Sequence, residues 1–148
     1  MARIWIVEDD PRIGLLIQTA MSKAGHQPRR LEDAEEMERA LEEETPDLML
    51  LDLMLPGIDG FEVLRRRQNM EGFKDTPVIV LTNTESVSSQ SEAFALGADE
   101  FIIKPVDTRI ALTRINNTLG VKRRLQNSRD EQKAWKTKSQ IDEMTSLF

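Results

Sequence analysis

The sequence predicts a doubly wound α/β domain with a five-stranded parallel sheet, helices on both faces and a C-terminal helical extension. Short apolar runs alternate with segments of helical period five times along the chain. The runs are apolar at nearly every position, which is typical of parallel strands buried on both faces. With 148 residues, 39% of them hydrophobic and 31% charged, the chain can bury one core.

The first two βα units occupy about the first 44 residues. Residues 4–7 predict the first strand, and Pro11 begins a helix that Gly25 ends. A weaker strand at residues 27–31 precedes a helix over about residues 33–44, with Ala34, Met37 and Leu41 facing inward. In the first helix, the inward positions predicted by the 3.6-residue period are Ile13, Leu16, Ile17, Ala20, Met21 and Ala24.

The remaining three units contain the most apolar strands. Residues 48–51 predict a central strand, and residues 78–81 and 101–103 predict the next two. A helix follows each strand, and Asp107 is expected to cap the last one. The inward face of that last helix is predicted to contain Ala111, Leu112, Ile115 and Leu119.

The charge distribution divides the chain into two parts. The net charge is −6, but residues 121–148 contain seven basic and four acidic residues, against thirteen and twenty-two in residues 1–120. We therefore predict a domain over residues 1–120 and a helical linker over residues 121–148, leading to an absent output domain. The acidic domain argues against direct binding to nucleic acid.

Composition also excludes several classes of site. Without cysteine, the chain can form no disulfide framework, thiolate nucleophile or cysteine zinc site. The single histidine, His26, is expected in a solvated turn and cannot form a histidine metal cluster. No apolar run approaches the roughly 20 residues of a membrane helix, and no signal peptide is evident. We expect a cytoplasmic protein with no membrane partner.

Polar residues end four of the five predicted strands, at the edge where doubly wound sheets bind ligands. They are Glu8, Asp9 and Asp10 after the first strand, Asp52 after the third, Thr82 after the fourth and Lys104 after the fifth. Carboxylates without histidine or cysteine form the oxygen site that Mg²⁺ prefers. A lysine and a hydroxyl add donors for an anion, so the set suits phosphoryl transfer to an aspartate.

Structural roles compete with these functional ones. Three consecutive acids cannot all point into one site, so Asp10 is expected either to cap the first helix or to support the metal ligands without binding the metal. Thr82 and Lys104 would be ordinary strand-end residues if considered alone, and only their register with Asp52 indicates a functional role. Phe101 fits a core position equally well. A charged Asp52 directly after four apolar residues is costly unless it is paired, which favours function there.

Residues 3 to about 120 resemble the receiver domain of two-component response regulators. The resemblance rests on the run from Asp52 to Gly60 (DLMLPGIDG), and the step Gly97-Ala98-Asp99 and the pair Lys104-Pro105 support it in register. It implies a flavodoxin-like fold with strand order 2-1-3-4-5. It also implies a phosphoprotein of the phosphorelay type, with an aspartyl phosphate and Mg²⁺ as the cofactor.

The resemblance also implies a role for each site residue. Asp52 would be the phosphoacceptor and a metal ligand, Asp9 a direct Mg²⁺ ligand and Glu8 a ligand through water. The backbone carbonyl of Met54 would be another ligand. Thr82 and Lys104 would bind the phosphoryl group.

Further implied roles concern switching and phosphoryl lifetime. Thr82 would shift on activation and carry Phe101 to an inward rotamer, and Lys104–Pro105 would be a cis peptide bond. Met54, Asn83 and Thr84 would flank the phosphorus. Since Asn83 replaces the family's usual alanine or glycine, we expect slow to moderate self-dephosphorylation.

The expected partners are a histidine kinase or phosphotransfer protein and, after phosphorylation, a second copy of the chain. Residues 141–148 resemble the opening of a GGDEF domain, so we expect a fragment of a diguanylate cyclase in cyclic di-GMP signalling. The chain itself would be no enzyme beyond assisting its own phosphorylation and dephosphorylation. The alternative is a stand-alone receiver that binds proteins in a phosphorylation-dependent way. A haloacid dehalogenase-type phosphatase is rejected because Met54 stands where its second aspartate is needed.

Overall fold

Five strands and five helices alternate along the chain in the computed structural model, which describes residues 2–83 and 87–131. The elements are β1 (Arg3–Val7), α1 (Pro11–Lys23), β2 (Gln27–Leu31), α2 (Ala34–Ala40), β3 (Leu48–Asp52), α3 (Gly60–Arg67), β4 (Val78–Thr82), α4 (Val87–Ala95), β5 (Glu100–Ile103) and α5 (Thr108–Glu131). The strands form one sheet of order β2-β1-β3-β4-β5, and every pairing is parallel. The predicted flavodoxin-like, doubly wound fold is confirmed.

The sheet separates two apolar layers because successive residues of a strand point to opposite faces. On β3, Met49 and Leu51 belong to the layer covered by α2, α3 and α4. Leu48 and Leu50 belong to the layer covered by α1 and α5. All five residues of β3 and of β4 are buried, which places the central strands where no water reaches their sides.

Side-chain caps begin four of the helices. In each, an aspartate Oδ1 accepts a hydrogen bond of 2.8 to 3.0 Å from a backbone N–H of the first turn, and the four residues are Asp10, Asp33, Asp59 and Asp107. Each cap satisfies a donor that has no partner within the helix, for a typical gain of about 1 kcal/mol. The predicted capping roles of Asp10 and Asp107 are confirmed.

The inward face predicted for α1 is partly wrong. Gly14, Ile17 and Met21 are its buried residues, whereas Leu16 is 48% exposed and Ala24 is exposed. Adjacent helical residues point about 100° apart, so Leu16 cannot share the narrow buried stripe of Ile17. The Leu16 side chain instead lines a cavity between α1 and α5.

The second helix is shorter than predicted. It ends at Ala40, and a turn follows in which the N–H of Glu42 and of Glu43 each bond the carbonyl three residues earlier. These i to i+3 bonds replace the i to i+4 bonds of the helix, so the predicted last turn is present as a tighter turn.

His26 follows α1 in a turn, as predicted, but its ring is half-buried rather than solvated. Its Nδ1 accepts from the Ala2 N–H at 3.2 Å, and its Nε2 lies 3.3 Å from Asn116 Oδ1. The ring therefore links the start of β1 to α5, a contact between distant segments that a local pattern does not reveal.

The last helix continues without a break through Gly120 to Glu131. The predicted boundary at residue 120 therefore lies inside a helix, and the division into domain and linker stays a prediction. Residues 132–148 lie outside the described part of the chain, as does the resemblance to a GGDEF domain. Among the described residues, no helix combines the length and apolarity that crossing a membrane requires.

Candidate functional site

Three of the predicted acids meet at the C-terminal edge of the sheet. Asp52 ends β3 with 1% of its surface exposed, and Glu8, directly after β1, is fully buried. Asp9 is partly exposed. One carboxylate oxygen from each of the three lies within 4.8 Å of the other two. Asp10 turns away to cap α1.

Asp52 occupies the centre of the sheet because β3 lies between β1 and β4. Its Oδ1 accepts a hydrogen bond from the Met54 N–H at 2.9 Å, and its Oδ2 lies 3.2 Å from Lys104 Nζ. The Met54 backbone therefore lies beside the Asp52 carboxylate, while 65% of the Met54 surface is exposed. The ligand role of its carbonyl stays a prediction.

Lys104 connects two of the buried acids. Its Nζ lies 3.0 Å from Glu8 Oε1 as well as 3.2 Å from Asp52 Oδ2, and the Lys104–Pro105 peptide bond is cis. Burial is the largest single influence on the pKa of Lys104 and lowers it, but the contacts with both carboxylates together raise the pKa above its ordinary value. Lys104 is therefore a charged group at neutral pH.

Burial disfavours the ionised form of Glu8. Burial, helped by the nearby charge of Asp52, raises the pKa of Glu8 to about 7, although the Asp10 N–H and Lys104 act in the opposite direction. Its Oε2 accepts from the Asp10 N–H at 3.1 Å. Its buried Oε1 has the ion-pair contact with Lys104 but no well-aligned hydrogen bond.

The donor set fits a divalent cation that prefers oxygen. Glu8, Asp9 and Asp52 bring up to three negative charges together, and Lys104 neutralises only one of them. Glu8 Oε1 adds a fully buried carboxylate oxygen to the cluster, with Lys104 Nζ 3.0 Å away. Mg²⁺ takes carboxylate oxygens and water, so these residues suit it.

Thr82 ends β4 beside Lys104. Thr82 is 2% exposed, and its carbonyl accepts from the Lys104 N–H at 2.8 Å. Asn83 is exposed in the bend that follows. Thr84, the third residue predicted to tune phosphoryl lifetime, lies outside the described residues.

Phe101 on β5 is half-buried against the layer covered by α2, α3 and α4. Its ring meets Phe94 edge to face, with centroids 5.9 Å apart, and the Arg114 guanidinium carbon lies 5.5 Å from its centroid. Arg114 also donates to the Phe101 carbonyl. Phe101 is therefore held by two neighbouring helices, and its change of rotamer stays a prediction.

Two residues at the site have roles that the sequence did not indicate. A Cβ on Gly60 would lie 2.6 Å from the Asp52 carbonyl oxygen and 2.7 Å from Leu53 Cα, so only glycine lets α3 begin this close to the end of β3. Arg30 on β2 donates to the carbonyls of Glu8 and Asp9 at 3.0 Å each. The only sequence signal for Gly60 was its place in the run that begins at Asp52, and none pointed to Arg30.

Comparison with known proteins agrees with this geometry. The model of the response regulator receiver domain family matches residues 4–116. The chain is 35% identical over 119 residues to the DNA-binding dual master transcriptional regulator RpaA of Synechocystis sp., covering 80% of this chain and 49% of that protein. It is 34% identical over 119 residues to the transcriptional regulatory protein AfsQ1 of Streptomyces coelicolor, covering 80% and 52%. The chain thus spans about half the length of these curated relatives.

Solved structures agree as well. A response regulator receiver domain protein (CheY-like) from Methanospirillum hungatei superposes with a TM-score of 0.77 at 27% identity, covering 84% of this chain and 98% of that one. The signal receiver domain of a signal transduction histidine kinase from Syntrophus aciditrophicus gives 0.75 at 27% identity, covering 81% and 91%.

Proposed function

The chain belongs to the response regulator receiver domain family, and on that premise we propose that it accepts a phosphoryl group on Asp52 and thereby switches an output. The observation that carries the proposal is the buried Asp52 carboxylate at the end of the central strand, 3.2 Å from Lys104 Nζ and clustered with Glu8 and Asp9. Such a carboxylate has a nucleophilic oxygen, a cation beside it and an acidic pair suited to a metal.

The proposed donor is a phosphohistidine of a histidine kinase or phosphotransfer protein. An Asp52 oxygen attacks phosphorus, the O–P bond forms as the N–P bond breaks, and the imidazole nitrogen takes the electron pair. Lys104 and Thr82 donate to the phosphoryl oxygens, whose negative charge they stabilise. Glu8, Asp9, Asp52 and the Met54 carbonyl would hold Mg²⁺, which when bound neutralises part of that charge.

The signalling step is proposed to start at Thr82. A hydroxyl drawn toward the phosphoryl group would free space behind it, and Phe101 would turn inward from its contacts with Phe94 and Arg114. Met54, Asn83 and Thr84 are proposed to control water access to the phosphorus, and the amide of Asn83 is expected to lengthen phosphoryl lifetime.

The output is proposed in two forms. The curated relatives are named as transcriptional regulators, which favours a DNA-binding output in the full-length protein. The predicted diguanylate cyclase output receives no support from them and depends only on residues 141–148. Sequencing the gene beyond Phe148 decides between the two outputs.

A stand-alone receiver that binds a protein partner in its phosphorylated state is the alternative. A phosphorylation-dependent homodimer is a related proposal. Gel filtration with and without phosphorylation tests the homodimer, and capture of an unrelated partner by the phosphorylated form alone would favour the binding module.

The central experiment is intact-mass measurement after incubation with acetyl phosphate and Mg²⁺. The natural chain should gain one phosphoryl group, and Asp52→Asn should gain none. Asp59→Asn is the matched control, since Asp59 lies in the same loop but is exposed and caps α3. A phosphoryl group on the Asp52→Asn variant, or none on the natural chain, would contradict the proposal.

A further inference from the structure

The loop that carries Glu8 and Asp9 has a backbone hydrogen bond at each end. The Glu8 N–H donates to the Leu31 carbonyl at 3.1 Å, and the Asp10 carbonyl accepts from the Gly14 N–H at 3.0 Å. Between them, the carbonyls of Glu8 and Asp9 lie beyond the end of β1, where no strand ladder can satisfy them. Glu8 is a buried residue, and a buried carbonyl without a partner costs about 1–3 kcal/mol, so the Glu8 carbonyl needs a donor from elsewhere.

Arg30 supplies that donor from the neighbouring strand β2. Its Nε donates to the Glu8 carbonyl and its Nη2 to the Asp9 carbonyl, both at 3.0 Å. The guanidinium is planar and its donors are fixed relative to one another, so two such bonds set both position and orientation of the two peptide groups. Because the bonds go to carbonyls, Arg30 occupies none of the carboxylate oxygens of Glu8 and Asp9.

Gly14 makes this arrangement possible. It is buried near the start of α1, as the fourth of the 13 residues of that helix. A Cβ there would lie 2.4 Å from Arg30 Cδ and 2.7 Å from Arg30 Nε. The helix therefore carries a glycine at the point where the Arg30 side chain crosses it.

We propose that Arg30 is a positioning residue for the divalent-cation site, and that Gly14 is the residue that admits it. The inference rests on the proposed function only in taking Mg²⁺ as the natural cation. By fixing the Glu8 and Asp9 backbone, Arg30 holds both carboxylates toward Asp52. The positive charge of Arg30 acts in the opposite direction, since it repels a cation. The sign of the change in affinity on removing Arg30 therefore distinguishes positioning from charge.

The test is the affinity of the 148-residue chain for Mn²⁺, a spectroscopic substitute for Mg²⁺, measured as free Mn²⁺ by electron paramagnetic resonance. Partners that orient metal ligands typically contribute 10–100-fold in affinity, and the lost repulsion offsets part of that, so Arg30→Met should raise Kd about 10-fold. Arg30→Lys keeps the positive charge but has one ammonium group in place of the planar guanidinium. Its Kd should lie between those of the natural chain and of Arg30→Met. Arg29→Met is the matched control, since Arg29 is the adjacent β2 residue and pairs instead with Glu44 and the Trp5 ring. Its Kd should stay unchanged.

If Arg30→Met folds poorly, Gly14→Ala provides a separate test, because it keeps Arg30 in the chain, and a double-mutant cycle with Arg30→Ala shows whether the two residues act together. Gly14→Ala alone should displace the Arg30 side chain and weaken Mn²⁺ binding. Once Arg30→Ala has removed the clashing atoms, Gly14→Ala should have no further effect on Kd. Unchanged or tighter binding in Arg30→Met, or equal weakening in Arg29→Met, would overturn the inference. Absence of Mn²⁺ binding by the natural chain would overturn it too. Failure of Asp52 to be phosphorylated would instead refute the proposed function and leave these affinities meaningful.

Discussion

Raising the pH through neutrality should destabilise the cation-free protein, because Glu8 must then lose its proton inside the core. Burial raises the pKa of Glu8 from 4.5 to about 7 in the folded chain. The folded state therefore binds the proton more tightly than the unfolded state does. The resulting stability is fully present below pH 4.5 and is lost as the pH rises through 7. At 1.36 kcal/mol for each unit of pKa, the difference is about 3 kcal/mol.

The assay is urea unfolding with a chelator present, at several values between about pH 5 and about pH 8, where most of that loss falls. The free energy of unfolding of the natural chain should decrease across this range, and that of Glu8→Gln should decrease by about 2–3 kcal/mol less. Asp10 and Asp107 do not interfere, since hydrogen bonds from Arg12 and Arg109 respectively hold their pKa values below the ordinary range.

Adding Mg²⁺ should reverse the trend. A cation that binds only the folded chain stabilises it, and it binds best when the carboxylates are ionised. Mg²⁺ should therefore stabilise the natural chain more at about pH 8 than at about pH 5. Equal pH dependence in the natural chain and in Glu8→Gln would refute the reasoning, because Glu8 would then titrate alike in both states.

Three further substitutions, two at the site and one at the opposite edge of the sheet, are tested by the same urea assay. Lys104→Met leaves two buried carboxylates without their cation and should cost about 3 kcal/mol, with part of the loss restored by Mg²⁺. Gly60→Ala forces a Cβ onto the Asp52 carbonyl, so it should cost about 3 kcal/mol and slow phosphorylation; unchanged rates would show that α3 can shift. Arg67→Met removes the donor to the Thr76 and Gly97 carbonyls and should cost about 2 kcal/mol. Arg66→Met, which removes only exposed ion pairs, should leave the free energy of unfolding nearly unchanged, and equal effects of the two substitutions would contradict the role given to Arg67.

The fold could be predicted because its signals are local. Each strand is a short apolar run and each helix has its own period, and Asp10 and Asp107 mark helix starts by a side chain that bonds its own first turn. The errors also have a local origin. The helical period of α1 does not show how many of its side chains the sheet covers. It therefore predicts an inward Leu16, although that residue is 48% exposed.

The residues of the candidate site could be predicted from the sequence, but their contacts and protonation states could not. Parallel strands end at one edge, so Asp52, Glu8 and Asp9 had to meet once the strands were placed. The sequence could not reveal that Lys104 bridges two of the carboxylates, or that Glu8 retains its proton to about pH 7. Both depend on burial and on distances between segments about 50 to 100 residues apart.

By itself, the sequence determined the order of strands and helices, the capped helix starts and the set of acidic residues at the strand ends, since these depend on neighbours along the chain. Only the tertiary structure decided that Arg30 holds the acidic loop, that Gly14 makes room for it and that Gly60 lets α3 approach Asp52. A close approach between two segments exists only after the sheet has set their register and the helices have packed on it. The sequence shows only that Gly14 and Gly60 lack a side chain, while the fold shows which atoms occupy the place where a Cβ would lie.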